Sequence, residues 1–347
     1  MILTFIKYMF SHINMDLIKQ AETIYKANFS DECWFGRCIF ISWYCDVGTC
    51  KFCYRSTQKS RIKFAEHAKR SKASIIVEAL LSKNLGWRIE FLTGGYKIYP
   101  TEELVEIARL VSEIYGEKIW LNLGALEKKD LDKFRPYIEG IVASIECINP
   151  VLHNNICPNK PIAPYEKMFE EANGLKKSMT IVVGLGEEKE DFELLKQFIA
   201  KHNLDRITFY ALKPVPGTSF IEGPSTEDYV WWIANTRIAF PKLEIIAGTT
   251  ARRVGEISQI LKAGANAITK FPATKKFGQK EAVEFEAQVK SAKRKFTSSL
   301  TKLPKVDWDK QIAELNVPEE LKKEVKQTLD MYLKRMQNPS KSSDEEE

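Results

Sequence analysis

The chain has 347 residues, 44% of them hydrophobic and 28% charged, the balance of a globular protein with a large buried core rather than a fibrous or disordered one. Its 52 Lys and Arg against 46 Asp and Glu leave a net charge of +6 spread along the chain, which argues against a dedicated nucleic-acid face. No stretch reaches the roughly 18–20 consecutive apolar residues of a membrane span, and seven cysteines without a secretion signal point to a reducing, cytoplasmic setting with metal-binding or catalytic thiols.

The first residues, MILTFIKYMFSHINM, are apolar but interrupted by Lys7 and His12 and lack a small-residue cleavage site. They read as part of an N-terminal extension over 1–35 rather than a signal peptide. From about residue 36 short β-rich runs alternate with helical patterns. The predicted strands are 38–44 (CIFISWY), 88–93 (RIEFLT), 118–123 (KIWLNL), 140–146 (GIVASIE), 179–185 (MTIVVGL), 206–212 (RITFYAL), 243–247 (LEIIA) and 267–271 (AITKF). Helices are predicted between them, over 102–115, 191–202, 226–240 and 252–263; in the first, Leu104, Ile107, Ala108 and Val111 fall on one face. The runs are apolar without alternation, as strands of a parallel sheet covered on both faces are. Eight βα units are the number that closes a (βα)8 TIM-type barrel, here over 36–300, and its active site is expected in the loops after the strands. A charged helical segment follows over 301–336, and residues 337–347, without apolar content, are expected to be a disordered tail.

Cys45, Cys50 and Cys53 occur as CDVGTCKFC directly after the first strand. Three thiols on one polar loop, with Asp46, Gly48 and Lys51 among them, suit metal binding better than core packing. Structural zinc takes four closed ligands, and the nearest histidine, His67, lies in a helical stretch. Three thiolates instead suit an iron–sulfur cluster with one iron left open.

This loop resembles the Cys-x3-Cys-x-aromatic-Cys motif of the radical S-adenosylmethionine (SAM) superfamily, with Phe52 at the aromatic position and a first gap of four residues instead of three. The resemblance implies that the three cysteines hold a [4Fe-4S] cluster whose fourth iron takes the amino and carboxylate groups of SAM. Further segments resemble the biotin-synthase-like branch. FLTGG (91–95) implies that Gly94 and Gly95 receive the methionine amino group, and Glu146 in SIECINP the ribose. Gly184 and Gly186 in GLGE would lie beside the adenine, and Lys167 near the SAM carboxylate. KPVPGT (213–218) and AGANAI (263–268) extend the likeness, which covers about residues 36–290.

Cys33, Cys38, Cys147 and Cys157 remain, the ligand number of a second, closed cluster, although buried cysteines also pack as small hydrophobes. Biotin and lipoyl synthases sacrifice such an auxiliary cluster as sulfur donor. The biotin synthase ligands do not map onto this chain: Ser178 stands where a cysteine is expected, and Arg252 or Arg253 in AGTTARR is the candidate for an arginine ligand. The resemblance therefore favours an archaeal-type two-component lipoyl synthase subunit. Its implied partners are a ferredoxin- or flavodoxin-type reductant, a second radical SAM subunit and a lipoyl carrier protein, with neither nucleic acid nor membrane. The implied activity is reductive SAM cleavage to a 5′-deoxyadenosyl radical, C–H activation and sulfur insertion. A radical SAM mutase or cofactor-assembly enzyme is the alternative within the family, and an iron–sulfur electron-transfer or scaffold protein the alternative outside it. Cys147 and Cys157 are expected close together, with Cys33 near them and Cys38 the least constrained.

Overall fold

The computed structural model describes residues 2–95 and 97–338, with the backbone alone for 2–14. Eight parallel strands form the ring: β1 Glu32–Phe40, β2 Arg88–Thr93, β3 Ile119–Asn122, β4 Ile138–Glu146, β5 Lys176–Val183, β6 Arg206–Ala211, β7 Glu244–Gly248 and β8 Ala267–Thr269. Each pairs with its sequence neighbour except that β8 pairs with β1, and β1 with β2 closes the barrel. Helices cover its outside. On β6, for example, Ile207, Phe209 and Ala211 join the core beneath the helices, while Thr208 and Tyr210 bond to Glu90 across the lumen. Among the described residues no helix is long and apolar enough to cross a membrane.

The expected helices appear as Thr101–Tyr115, Phe192–His202 and Thr226–Ala239. The fourth is split into a 3-10 turn, Ala251–Glu256, and a helix, Ile257–Lys262. The first strand differs more. It begins at Glu32, inside the expected extension, because Glu32 and Cys33 pair with a ninth strand, β9 Lys295–Phe296, that periodicity did not reveal. It also ends at Phe40, which lengthens the cysteine loop. The N-terminal segment is a helix, Ile2–Asn28, packed on Thr226–Ala239. The C-terminal segment is two helices, Trp308–Ala313 and Glu319–Gln337, the second capped by Pro318. Tyr332 fastens it to the barrel through Arg70 and Glu78, at 3.1 and 3.3 Å. The expected tail lies outside the described residues from 339 onward.

The lumen is closed from below. The Arg206 guanidinium stacks 4.1 Å from the Trp120 ring and 5.8 Å from Trp34, and Gly140 leaves room for that tryptophan. A Cβ at Gly140 would stand 2.6 Å from a Trp120 ring carbon and 2.7 Å from the Lys176 carbonyl oxygen. Gly140→Ala should therefore overpack the floor and destabilise by about 1–3 kcal/mol. A lower urea midpoint with an unchanged slope is the expected result.

Candidate active site

The C-terminal strand ends all face one mouth. The loop after β1 carries Cys45, Cys50 and Cys53, and Cys53 precedes the short helix Tyr54–Gln58. This loop is fixed to the one after β4 through the Lys51 N–H donating to the Ile156 carbonyl at 2.9 Å and Lys51 Nζ donating to Asn155 at 2.5 Å. Phe52 is half-buried against an apolar cluster containing Cys50, Cys147, Cys157, Leu185 and Leu212. Among the described residues no three His, Cys, Asp or Glu side chains are gathered around a point that would hold a metal ion, Cys45, Cys50 and Cys53 included. Cys50 turns instead to Cys157, whose thiol donates to it. That bond, opposed by burial and helped by Lys160, lowers the Cys50 pKa. The Cys157 thiol is raised by the same bond and by its burial.

Gly94 and Gly95 follow β2 with φ of 84° and 87°, a backbone that favours glycine. A Cβ at Gly94 would stand 3.0 Å from Arg55 Nη1, and one at Gly95 2.9 Å from the Tyr99 ring. Arg55 lies over the Phe40 ring at 4.7 Å, and its buried Nη2 has no hydrogen-bond acceptor. Glu146 ends β4 in a left-handed conformation, φ 64°. One of its oxygens accepts a hydrogen bond from Lys160 Nζ at 2.7 Å, and the two side chains are only 14% and 11% exposed. Burial alone would lower the Lys160 pKa, but the Glu146 charge outweighs it and the ammonium is held. After β5, the Glu187 carboxylate accepts from the backbone N–H groups of Gly184 and Leu185 at 2.6 and 2.8 Å. The turn holding Gly184 and Gly186 is thus fastened onto itself.

Two expectations are corrected by this geometry. Lys167 is not at the mouth: it lies on the helix Ala163–Glu171, 74% exposed and paired with Glu171 at 3.9 Å. The cation beside Glu146 is Lys160, seven residues earlier. Nor do the four remaining cysteines converge. Cys33 is buried at the start of β1 beside β9, where burial raises its pKa to about 12 with Arg294 opposing. Cys38 faces the lumen and donates to Glu90 at 3.0 Å. Only Cys147 and Cys157 share a cluster, with Cys50 as the third thiol. Ser178, on the lumen floor, is buried without a partner for its hydroxyl. Arg252 is exposed, and Arg253 is spent on Glu256 and the Pro224 carbonyl.

Sequence reasoning missed Arg55, Lys160 and Glu90. Lys160 lay three residues after a singled-out cysteine in NNICPNKP. Glu90, a charged residue within the strand run RIEFLT, was the clearest signal passed over, since a buried strand carries a carboxylate only when its interior supplies donors.

The fold and mouth define a parallel-barrel enzyme with three thiols, a twin-glycine turn and buried ion-pair chemistry at its strand ends. The Radical SAM superfamily model matches residues 39–199 and the Biotin and Thiamin Synthesis associated domain model residues 208–290. An uncharacterized protein of Methanocaldococcus jannaschii is 34% identical over 351 residues, covering 94% of this chain and 97% of its own. A biotin synthase of Francisella philomiragia is 24% identical over 290 residues, 76% of this chain and 88% of that enzyme. Two solved structures share the fold. Methylornithine synthase has a TM-score of 0.62 at 19% identity, over 74% of this chain and 77% of its own. The FeFe-hydrogenase maturase HydG from Carboxydothermus hydrogenoformans has a TM-score of 0.62 at 14% identity, over 94% and 84%. The chain belongs to the radical SAM superfamily, in its biotin-synthase-like branch.

The Cys50–Cys157 contact makes one chemical forecast. In the cluster-free protein the Cys157 thiol lowers the Cys50 pKa, so alkylation of Cys50 by iodoacetamide should rise at lower pH than that of an ordinary thiol, as read by mass spectrometry. Cys157→Ala removes the donor and should move this rise to higher pH.

Proposed function

We propose that this protein reductively cleaves SAM and uses the resulting 5′-deoxyadenosyl radical to activate a substrate C–H bond in the barrel. The observation that carries this reading is the meeting, at one mouth, of the three-thiol loop, the Gly94–Gly95 turn, the left-handed Glu146 and the Glu187-closed turn, each at the end of a different strand. These residues fit the group that the family implies: three thiols without a fourth, a left-handed twin-glycine turn packed so closely on Arg55 and Tyr99 that a side chain there would clash, and a guanidinium with an orphaned buried nitrogen. When bound, a [4Fe-4S] cluster supplies the electron that cleaves SAM.

Cys45, Cys50 and Cys53 are the ligands, and Cys50 must exchange its contact with Cys157 for iron. Gly94 and Gly95 offer backbone to the methionine amino group. Arg55 takes the place expected of Lys167 beside the methionine carboxylate. Glu146 accepts from the ribose hydroxyls through the oxygen that Lys160 leaves free, and Lys160 fixes the carboxylate's orientation. Gly184 and Gly186 border the adenine, and Phe52 excludes water from the thiol side. A one-electron reductant of the ferredoxin or flavodoxin type supplies the electron.

Sulfur insertion of the lipoyl- or biotin-synthase kind is the finer reading, and it needs a sulfur donor. The separation of Cys33 and Cys38 from Cys147 and Cys157 leaves this chain without four convergent ligands for an auxiliary cluster. The donor would then come from a second radical SAM subunit acting on a lipoyl carrier protein. The same observation favours a second reading, a mutase or cofactor-assembly reaction that inserts no sulfur.

Anaerobic reconstitution tests the proposal. About four irons per chain are expected rather than about eight, and dithionite with SAM should yield 5′-deoxyadenosine. Cys50→Ala should yield none while keeping its far-ultraviolet circular dichroism; 5′-deoxyadenosine from that variant would overturn the ligand assignment. Glu146→Gln removes a charged acceptor contributing about 1.5–3 kcal/mol and should weaken SAM binding about 10–100-fold with iron content unchanged.

A further inference from the structure

One stretch of the chain carries more positive charge than the whole chain nets, against the even spread expected from the totals. Residues 51–72, KFCYRSTQKSRIKFAEHAKRSK, hold eight Lys and Arg against a single acid, Glu66, whereas all 347 residues together net +6. This stretch belongs to a lobe, residues 41–71, that leaves the barrel between β1 and the helix Lys72–Leu85 and also contains the cysteine loop. The lobe is closed on itself. Ser42 bridges Lys69, the Trp43 N–H donates to the Ala68 carbonyl at 2.9 Å, and the Arg70 N–H donates to that of Ile41 at 3.0 Å. Lys59 Nζ donates to the Asp46 and Val47 carbonyls at 2.5 and 3.2 Å, which ties the basic part to the cysteine loop.

Three large rings stand out on the same lobe: Trp43, Tyr54 and Phe64 are 51, 50 and 62% exposed. A single exposed ring needs no explanation, but several on one lobe mark a contact surface. Most of the cations there are engaged: Lys51 with Asn155, Lys69 with Glu66 at 2.6 Å, and Arg70 with Glu78 at 3.2 Å. The one acid of the stretch is thereby neutralised. Arg61 and Lys63, just before Phe64, are exposed, and among the described residues neither makes a hydrogen bond or an ion pair. This surface lies close to the thiols. Tyr54 directly follows Cys53, and the Phe40 ring touches both Trp43, at 5.6 Å between centroids, and Arg55, two residues after Cys53.

We propose that this lobe is the docking surface for the electron donor, an acidic one-electron carrier protein. Arg61 and Lys63 meet its carboxylates, and Trp43, Tyr54 and Phe64 make the apolar contact. The inference rests on the radical SAM reading, since only a cluster on Cys45, Cys50 and Cys53 needs an electron delivered here. One electron leaves the carrier, which is oxidised, and the bond between the SAM sulfur and its 5′ carbon breaks to give methionine and the 5′-deoxyadenosyl radical. Electron transfer weakens steeply with distance, and a carrier seated on the lobe that holds all three cysteines comes close to them. Such encounters are small, burying less than about 1,200 Å², and opposite charge speeds them. Three rings and two free cations suit that size. A nucleic acid would want a longer track of free cations, on the order of 6–10 phosphate contacts.

The test compares two reductants on the cluster-loaded protein with SAM: dithionite, which needs no docking, and flavodoxin hydroquinone, an acidic protein, below saturation. Arg61→Glu combined with Lys63→Glu should slow flavodoxin-driven 5′-deoxyadenosine formation at least about tenfold, the lower end of electrostatic steering. The dithionite rate should not change. Raising NaCl from about 50 to about 500 mM should slow the flavodoxin reaction of the unaltered protein more than that of the variant. Lys83→Glu combined with Lys290→Glu makes the same charge change in the last turns of the helices Lys72–Leu85 and Lys280–Ser291, at the strand-start end of the barrel. It should alter neither rate. A flavodoxin rate retained in the Arg61 and Lys63 variant, or lost equally in the Lys83 and Lys290 variant, overturns the proposal. So does a single-stranded RNA oligomer that binds the lobe and displaces flavodoxin. Absence of 5′-deoxyadenosine with dithionite would sink the radical reading instead. Calorimetric titration of flavodoxin needs no turnover and decides the surface separately: R61E with K63E should weaken its binding at least about tenfold, and unchanged binding overturns the proposal.

Discussion

The closure of the parallel ring between β1 and β2 is the constraint on which the rest depends. A parallel sheet sends every strand end in one direction, and closure brings those ends around a single opening. Residues 45–53, 94–95, 146, 184–187, 213 and 270 are far apart in sequence and share a mouth for no other reason. The closure is supported from below by the Arg206–Trp120–Trp34 stack and across the middle by the Glu90 network. The lower barrel is therefore solid, and chemistry is confined to its upper part.

Charge is arranged around that opening unevenly. A buried ion pair contributes little net stability by itself, because desolvation offsets much of its attraction, so the Glu146–Lys160 pair is better understood as a device for orientation. It holds one carboxylate oxygen and leaves the other to the mouth. Across the ring, Lys270 follows β8 in left-handed backbone, φ 67°, with its Nζ 5.3 Å from the centre of the Tyr210 ring.

Much of this was legible in the sequence, for physical reasons that also explain what was not. Strand runs such as KIWLNL and MTIVVGL are apolar over consecutive residues, as strands buried between a lumen and a helix layer are, and eight such runs fixed the architecture. Motif residues at strand ends were legible because closeness to a ligand dictates residue type, as at Gly94 and Gly95. The start of β1 was not, since it is set by pairing with a two-residue strand some 260 positions later. Lys160 and Lys167 could not be told apart by spacing, because both follow β4 and only the turn after the helix Pro150–Ile156 aims one of them back at Glu146. The cysteines outside the motif were the hardest, for a thiol suits a core, a hydrogen bond or a metal equally well.

The surroundings of those cysteines now distinguish these uses. Cys33 packs as a hydrophobe beneath β9. Cys38 gives its proton to the Glu90 hydrogen bond. Cys147, its pKa raised to about 12 by burial, lies 3.9 Å from the Asn149 carbonyl oxygen. Cys157 serves Cys50. Each thiol is accounted for by its neighbours. To gather all four, the chain would have to empty the foot of β1, break the lumen network and release Cys157 together. The barrel's stability opposes all of those changes. The four cysteines outside the motif thus serve packing and hydrogen bonding in three places: the foot of β1, the lumen and the mouth.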